Sequence, residues 1–222
     1  LALLGSMLGA AALVLGPWAV RNWVQLGRPI VTTTHGGYTL LLGNNPQFYD
    51  YLRRSRPGDA WNPDAFHEAW CRRLVEAAPA DEPAADRLAY ADAWTNMARQ
   101  PGMFLYASIV RVGRLWQLAP HRPSAEEPAG QTAARWAIAA WYAAEFVLAV
   151  LGLWVISRGI FGGRALRAVL LWGVVLAGSF TAVHLLYWTN MRMRGPLMPA
   201  VALAAAGGAA WLAERVVGSK SF

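Results

Sequence analysis

Four long apolar runs restrict this chain more than any other feature of its sequence. Each run has about 20 residues, which is the length that a helix needs to cross a hydrocarbon layer of roughly 30 Å. Only 15% of the residues are charged, and the apolar residues gather in the runs instead of alternating with polar ones as in a soluble core. The sequence therefore predicts transmembrane helices at residues 1–20, 136–156, 165–188 and 197–217.

The first run has the length of a secretory signal peptide but lacks its other features. It has no basic residues before the apolar stretch, and it ends in Gly16-Pro17-Trp18 rather than in a small-residue cleavage site. We interpret it as a transmembrane helix. Because the sequence starts inside this apolar helix, we expect the chain to be the C-terminal part of a longer polytopic protein.

The net charge of +7 is concentrated around the apolar runs. Residues 21–130 carry 12 basic and 11 acidic side chains, whereas the rest of the chain carries 8 basic and 2 acidic ones. Basic residues that flank transmembrane helices interact with lipid headgroups. No basic run is interleaved with aromatic residues as in a surface that binds nucleic acid strands. We therefore predict membrane lipids as partners and no nucleic acid.

The short linker at residues 158–167 sets the predicted orientation, because cytoplasmic loops are enriched in Lys and Arg. The linker holds three arginines, and the C-terminal tail adds Arg215 and Lys220. The linker and the tail are thus assigned to the cytoplasm. The turn at 189–195 and the segment at 21–130 are then assigned to the outside. Arg192 and Arg194, in the turn on the opposite side, are a competing signal.

These patterns predict an all-α fold, a polytopic membrane helix bundle with an outward-facing domain of helices and loops. Its location is the cell membrane, or the inner membrane where the cell has two. The predicted organisation is one transmembrane helix at 1–20, an extracytoplasmic domain at 21–130, and three transmembrane helices with short loops at 131–222.

Within the extracytoplasmic domain, Gly and β-branched residues at 27–45 predict extended chain with tight turns. Arg111 and Arg114 lie among apolar residues, as in a helix at the membrane interface, although burial against other helices is the alternative. Helices are predicted at residues 62–78, 84–99 and 103–118.

Polar and glycine residues after the first run form a candidate binding segment. Glycines let a backbone approach a ligand, Asn side chains both donate and accept hydrogen bonds, and an arginine matches a phosphate. A Trp/Arg membrane anchor followed by ordinary turns is an equally good interpretation. The candidate residues are Arg21, Asn22, His35, Gly36, Gly37, Asn44 and Asn45.

Three motifs in order resemble a known family. Pro17-Trp18-x-x-Arg21-Asn22 precedes a Thr-rich step, a Gly-Gly pair and Gly43-Asn44-Asn45. The segments 96–104 and 192–199 follow, the latter reading Arg-Met-Arg-Gly-Pro-Leu-Met-Pro. This order resembles the C-terminal half of bacterial membrane glycosyltransferases of the dolichyl-phosphate-mannose–protein mannosyltransferase type (family 39, GT-C fold).

The resemblance implies transfer of a sugar from a polyprenyl-phosphate donor to an acceptor at the outer face of the membrane. It also assigns a candidate phosphate-binding role to Arg192 and Arg194, whose guanidinium groups can form charge-assisted hydrogen bonds. Headgroup anchoring is the alternative role for both. The sugar, the acceptor and any cofactor are not identified by the sequence.

The catalytic residue remains unassigned. In the family it is an acidic residue in the first outer loop, which lies upstream of this chain. The pairs Asp81-Glu82 and Glu126-Glu127 stand beside Pro in polar linkers, where solvated charges are expected. We therefore expect no sugar transfer by this chain alone. The alternative function is that of a non-catalytic membrane protein whose outer domain binds a partner or assembles a complex.

No metal site is predicted. His67 and Cys71 lie four residues apart on one predicted helix, a spacing that suits metal ligands, but two ligands do not make a site. Cys71 is the only cysteine, so the chain has no internal disulfide.

Overall fold

The computed structural model describes residues 2–55, 58–122 and 127–218. Those residues form helices joined by loops and contain no strand, only an isolated bridge between Asp59 and Arg122. The predicted all-α class is confirmed. The helices are α1 (Ala2–Leu26), α2 (Gly36–Gly43), α3 (Pro46–Arg54), α4 (Asp64–Ala77), α5 (Glu82–Arg99), α6 (Pro101–Trp116), α7 (Ala129–Ser157), α8 (Arg164–His184), a 3₁₀ helix (Met191–Leu197) and α9 (Met198–Gly218).

Three helical segments are long and apolar enough to cross a membrane. They are Ala129–Ser157, Arg164–His184 and Met191–Val217, and they contain or overlap the last three predicted spans. The third span was predicted to continue to residue 188, but α8 ends at His184 because the chain then turns. The first predicted span lies in α1, which is not one of these three segments, so its crossing of a membrane stays a prediction.

The helices α7 and α9 pack closely through small residues. A Cβ atom added at Gly152 of α7 would clash with the carbonyl oxygen of Ala204, and one added at Gly208 of α9 would clash with that of Leu148. Ala204 and Gly208 lie four apart on α9, as in the small-xxx-small pattern that lets helices approach inside membranes. Glycine at residue 152 is therefore required by the close approach of the two backbones.

The helices α2–α6, called the helical domain below, contain two apolar cores. The first core lies between α2, α4 and α5, and the second lies between α3 and α6. Both predicted helices at 62–78 and 84–99 are confirmed within two residues at each end. The second begins at Glu82 because the Asp81 carboxylate accepts a hydrogen bond from the Ala84 backbone N–H at 2.7 Å and caps the helix.

The prediction of extended chain throughout 27–45 is wrong for its second half. Gly36 and Gly37 open α2 instead of forming a tight turn. A further helix, α3, was not predicted. Asn45 caps it and Pro46 occupies its first turn, so the Asn-Pro pair marks a helix start, for which this combination is well suited.

For the helix at 103–118, burial against other helices is confirmed for one face of α6, and a position at the membrane interface stays a prediction. Arg111 and Arg114 are buried against other helices. The apolar side chains of Leu105 and Ile109 are exposed, at 62% and 71%. The helix therefore buries its cations and presents apolar residues outward, which is compatible with a position at the membrane interface.

The predicted orientation can be checked with thiol labelling, because the one cysteine is exposed on α4. We expect Cys71 to react with a membrane-impermeant maleimide added outside intact cells. In a Cys71→Ser, Gly163→Cys variant, labelling should require permeabilisation, since residue 163 lies in the linker assigned to the cytoplasm. Gly163 has an ordinary φ of −98° and open space around it, so it tolerates a side chain. The opposite labelling pattern would invert the topology.

Candidate functional site

Side chains near the C-terminal end of α1 form hydrogen bonds with the loop that follows this helix. Asn22 is buried, and its side-chain amide donates to the carbonyl oxygen of Ile30 at 2.6 Å. The indole N–H of Trp18 donates to the carbonyl oxygen of Thr32 at 3.3 Å. Arg21 is exposed, with its guanidinium carbon 5.0 Å from the centre of the Trp18 ring. This arrangement has the features of the Trp/Arg anchor.

The paired glycines serve contact between helices. The Gly37 backbone N–H donates to the Asp86 carboxylate at 2.7 Å, and a Cβ atom at Gly37 would clash with the Asp86 carbonyl oxygen. A Cβ atom at Gly36 would clash with the Tyr90 hydroxyl. The space beside these two glycines, where a ligand was predicted to approach, is thus filled by α5. His35 is exposed, with its ring centre 4.6 Å from that of Tyr38.

Asn44 and Asn45 are buried structural residues. The Asn44 amide donates to the carbonyl oxygens of Leu40 and Leu186, both at 2.8 Å. The Asn45 side-chain oxygen accepts from the Phe48 backbone N–H at 2.7 Å and so caps α3. Asn44 therefore joins the helical domain to the turn after α8, and Asn45 directs the chain from α2 into α3.

Arg111 completes this junction. The Leu185 carbonyl oxygen accepts from its Nε at 3.1 Å and from its Nη2 at 2.6 Å. Its Nη1 donates to the Gly43 carbonyl oxygen at 2.5 Å and to Asn44 at 3.2 Å, and its Nη2 also donates to Ser108 at 2.9 Å. Burial lowers the pKa of Arg111 to about 10, so it stays charged at neutral pH. Arg111 binds backbone rather than a ligand.

Arg114 has fewer polar partners than Arg111. Its Nη2 donates to the Tyr51 hydroxyl at 2.8 Å, and its guanidinium carbon lies 5.4 Å from the Phe48 ring centre and 5.7 Å from that of Trp188. It forms no ion pair with a carboxylate among the described residues. Burial lowers the pKa of Arg114.

Arg194 is enclosed by protein, although the sequence predicts that it lies with Arg192 in the turn on the outer side of the membrane. It is 1% exposed, and its Nη1 donates to the carbonyl oxygens of Leu115 at 3.1 Å and Gln117 at 2.6 Å. Its Nε and Nη2 are buried and have no hydrogen-bond partner in the described part of the chain. Its guanidinium carbon lies 4.2 Å from the Tyr142 ring centre. Arg192, in contrast, is exposed on the same 3₁₀ helix.

An apolar groove lies beside Arg194. It has a volume of about 280 Å³ and runs between α7, α8 and α9, with the end of α6 as a further wall. The Phe146 ring lines the groove and lies 5.1 Å from the Arg194 guanidinium carbon. A buried cation thus lies at the edge of an apolar space between three segments that are long and apolar enough to cross a membrane. Other lining residues include Trp116, Leu170, Val174, Leu197 and Val201.

Because Arg21, Arg192 and Arg194 all lie at the outer ends of predicted spans, the sequence predicts that they converge on one anion, and this stays a prediction. Among the described residues, Arg21 contacts Trp18 and Asn22, whereas Arg194 contacts α6 and α7. These contacts have no residue in common.

The acidic pairs have structural roles. Asp81 caps α5, and Glu82 accepts a hydrogen bond from the Thr34 hydroxyl. Glu127 forms an ion pair with Arg135 at 3.0 Å with 7% of its side chain exposed, so the prediction of a solvated charge is wrong for this residue. Glu126, the other residue of the second acidic pair, lies outside the described residues. The same holds for Lys220 in the C-terminal tail.

The described residues contain no group of three side chains that could hold a metal ion. His67 contacts the Tyr38 hydroxyl through its Nδ1 at 2.9 Å, and Cys71 is exposed. The two residues therefore have separate environments on α4.

Comparison of this chain with protein-family models, curated proteins and solved structures found no match.

Proposed function

We propose that this chain is the C-terminal part of a membrane glycosyltransferase, which moves a sugar from a polyprenyl-phosphate donor to an acceptor at the outer face of the membrane. In this proposal the chain supplies the donor-lipid site. The isoprenoid tail lies in the apolar groove, and the phosphate binds at the 3₁₀ helix that carries Arg192 and Arg194.

The observation that carries the proposal is the position of Arg194 at the edge of the groove. A polyprenyl phosphate needs an apolar channel at membrane depth and a cation where the channel ends. The groove between α7, α8 and α9 offers the first, and Arg194 lies next to its Phe146 wall. The exposed Arg192, two residues away, offers a second cation.

The unpaired atoms of Arg194 give a reason for binding an anion. A buried donor without an acceptor costs about 1–3 kcal/mol, and both Nε and Nη2 are in this state. A phosphate oxygen that pairs with them removes this cost. Because the Tyr142 and Phe146 rings enclose the guanidinium group, binding is expected to require a rotation of these rings.

The test is binding of a short-chain polyprenyl phosphate by the purified chain in lipid nanodiscs, followed through tryptophan fluorescence, since Trp116 lines the groove. We expect the phosphate to bind at least about ten-fold more tightly than the corresponding polyprenol, because only the phosphate reaches the cation. Arg194→Gln should weaken phosphate binding by roughly 1–3 kcal/mol. Arg194→Lys should restore part of it by keeping the charge without the planar fork.

Arg158→Gln is the matched control, because Arg158 is exposed at the opposite end of α7. Should Arg194→Gln fail to fold, the exposed Arg192→Gln tests the same phosphate site. Val174→Trp tests the groove, since it fills the groove from one wall and should weaken both the phosphate and the alcohol. Equal binding of phosphate and alcohol would contradict the donor-lipid site and favour the non-catalytic alternative.

A further inference from the structure

The helical domain contains a second, polar cavity that the proposed donor-lipid site does not use. It has a volume of about 260 Å³ and lies between α3, α6 and the segment that follows α6. The Gln117 side chain lines this cavity, whereas the Gln117 carbonyl oxygen accepts a hydrogen bond from Arg194. The cavity and the apolar groove have no lining residue in common in the described part of the chain.

The polar groups that line this cavity are donors or can act as donors. They comprise a guanidinium group, two phenols, a hydroxyl, an amide and an imidazole. No carboxylate is among the described residues that line it. A negatively charged ligand would thus meet hydrogen-bond donors from several directions and no like charge. These lining residues are Tyr51, Ser55, Tyr106, Arg114, Gln117 and His121.

Arg114 provides the cation at this cavity. It is 8% exposed, and its one side-chain hydrogen bond among the described residues goes to the Tyr51 hydroxyl at 2.8 Å. The Tyr51 hydroxyl donates in turn to the Asp59 carbonyl oxygen at 2.7 Å, so the oxygen is held as an acceptor toward Arg114. The rest of the guanidinium group lies beside the cavity and forms no ion pair with a carboxylate of the described residues.

Arg111 and Arg114 differ in how their guanidinium donors are used. Both arginines lie on the buried face of α6, one turn apart, and both lack a carboxylate partner in the described chain. Among the described residues, Arg111 donates to four different partners, whereas Arg114 donates to one. A buried cation normally has its donors satisfied, and for Arg114 the space for a further acceptor is present.

We propose that this cavity binds a tetrahedral oxyanion, the phosphate group of a phosphomonoester, with Arg114 as its principal ligand. Tyr106, Ser55 and His121 offer the additional donors that a tetrahedral group with several acceptor oxygens can use. The phosphate can belong to a soluble ester or to a lipid headgroup. The site does not depend on the donor-lipid site at Arg194.

His121 supplies an independent readout. The Gln117 side-chain N–H donates to Nδ1 of His121 at 2.8 Å, which leaves Nε2 as the protonated nitrogen of the neutral ring. Burial, and then the charge of Arg114, lowers the pKa of His121. Among the described residues, the other titratable or charged groups near this position include Tyr51, Tyr106 and the ion pair between Asp59 and Arg122. A bound anion should raise the pKa of His121, because it compensates the charge of Arg114.

The experiment uses the full chain in nanodiscs of neutral lipid, with glycerol phosphate as the soluble probe and with phosphatidic acid incorporated in a parallel sample. Tryptophan fluorescence measures binding, since Trp188 packs on Arg114. The His121 proton resonance, identified by its loss in His121→Gln, measures the pKa. We expect saturable binding and an upward shift of the His121 pKa with one of the two probes. The probe that produces both effects identifies the source of the phosphate.

Arg114→Gln should weaken binding about ten-fold or more and abolish the pKa shift of His121. Arg72→Gln is the matched control, because Arg72 is exposed on α4, away from the cavity. Because Arg114 is buried, its replacement can affect folding, so Tyr106→Phe is the second variant. The Tyr106 side chain is half exposed, and its replacement should weaken binding without disturbing the fold.

Two results would overturn the proposal. One is the absence of binding and of a His121 shift with both probes in folded wild-type protein. The other is competition between glycerol phosphate and a polyprenol without phosphate, which would place the soluble ester at the apolar groove. Neither result bears on the donor-lipid site, whose test depends on the difference between polyprenyl phosphate and polyprenol.

Discussion

Replacing Gly152 by leucine should separate α7 from α9 and lower the stability of the membrane-spanning segments by roughly 3 kcal/mol or more, the upper part of the range for overpacked interiors. Any side chain at this position meets the backbone carbonyl of Ala204. Backbone cannot rotate away as a flexible side chain can. The helices must therefore move apart and lose the packing of small residues that holds them together inside a membrane.

Gly178→Leu is the matched control for this prediction. Gly178 lies in α8, and a Cβ atom there meets nothing within 4 Å. The two variants add the same side chain to an apolar span, so only the helix contact differs between them. Trp154 and Trp211 report the contact, because their rings meet edge to face with centres 6.2 Å apart. Unfolding in a denaturing detergent, followed by this fluorescence, should begin earlier in Gly152→Leu alone. Equal loss of stability in both variants would show that the added volume, not the α7–α9 contact, is responsible.

This pair of glycines also marks what the sequence could predict about the fold. Run length and apolar composition predicted three helices that are long and apolar enough to cross a membrane, because both properties can be read directly from the sequence. Gly152 and Gly178 look alike in such runs. Only the three-dimensional packing distinguishes the glycine that meets α9 from the one that faces outward, so the pairing of the helices was not predicted.

The sequence identified several polar residues of the candidate site but did not predict their roles. Asn44 and Asn45 were identified as important polar residues, yet their amides bind backbone and cap a helix. The same hydrogen-bonding capacity suits a ligand or a chain turn, and sequence cannot choose between them. Arg194 was also identified, but its enclosure by aromatic rings from α7 depends on a contact between distant segments.

Arg111 and Arg114 were seen in the sequence but not assigned to a site. Their spacing of three residues puts them on one face of a helix. An amphipathic pattern normally indicates that the charged face meets solvent or lipid headgroups. In α6 that face is the buried one, because the carbonyl oxygens of Gly43 and Leu185 and the rings of Phe48 and Trp188 replace water around the two guanidinium groups.

Replacing Arg111 by methionine should destabilise the helical domain by roughly 1–3 kcal/mol, the cost of leaving buried acceptors without their donor. Methionine fills part of the volume but donates no hydrogen bond. The carbonyl oxygens of Gly43 and Leu185 would then lose their partner, and Asn44 would lose one of its donors. Arg111→Lys should recover little of the loss, because one ammonium group cannot reach acceptors that a planar guanidinium meets along three directions.

The measurement is amide hydrogen exchange combined with thermal unfolding, with Arg87→Met on the exposed face of α5 as the control for replacing an arginine by methionine. Exchange should rise first in residues 185–188, because Arg111 and Asn44 hold that turn to the helical domain. Trp188 lies in the turn and packs on Phe48. Its release would remove one wall around Arg114 and disconnect the domain from α8. A variant that unfolds with unchanged midpoint and unchanged exchange in this turn would mean that the junction is held by Asn44 and by apolar packing, and that the buried charge of Arg111 contributes nothing to it.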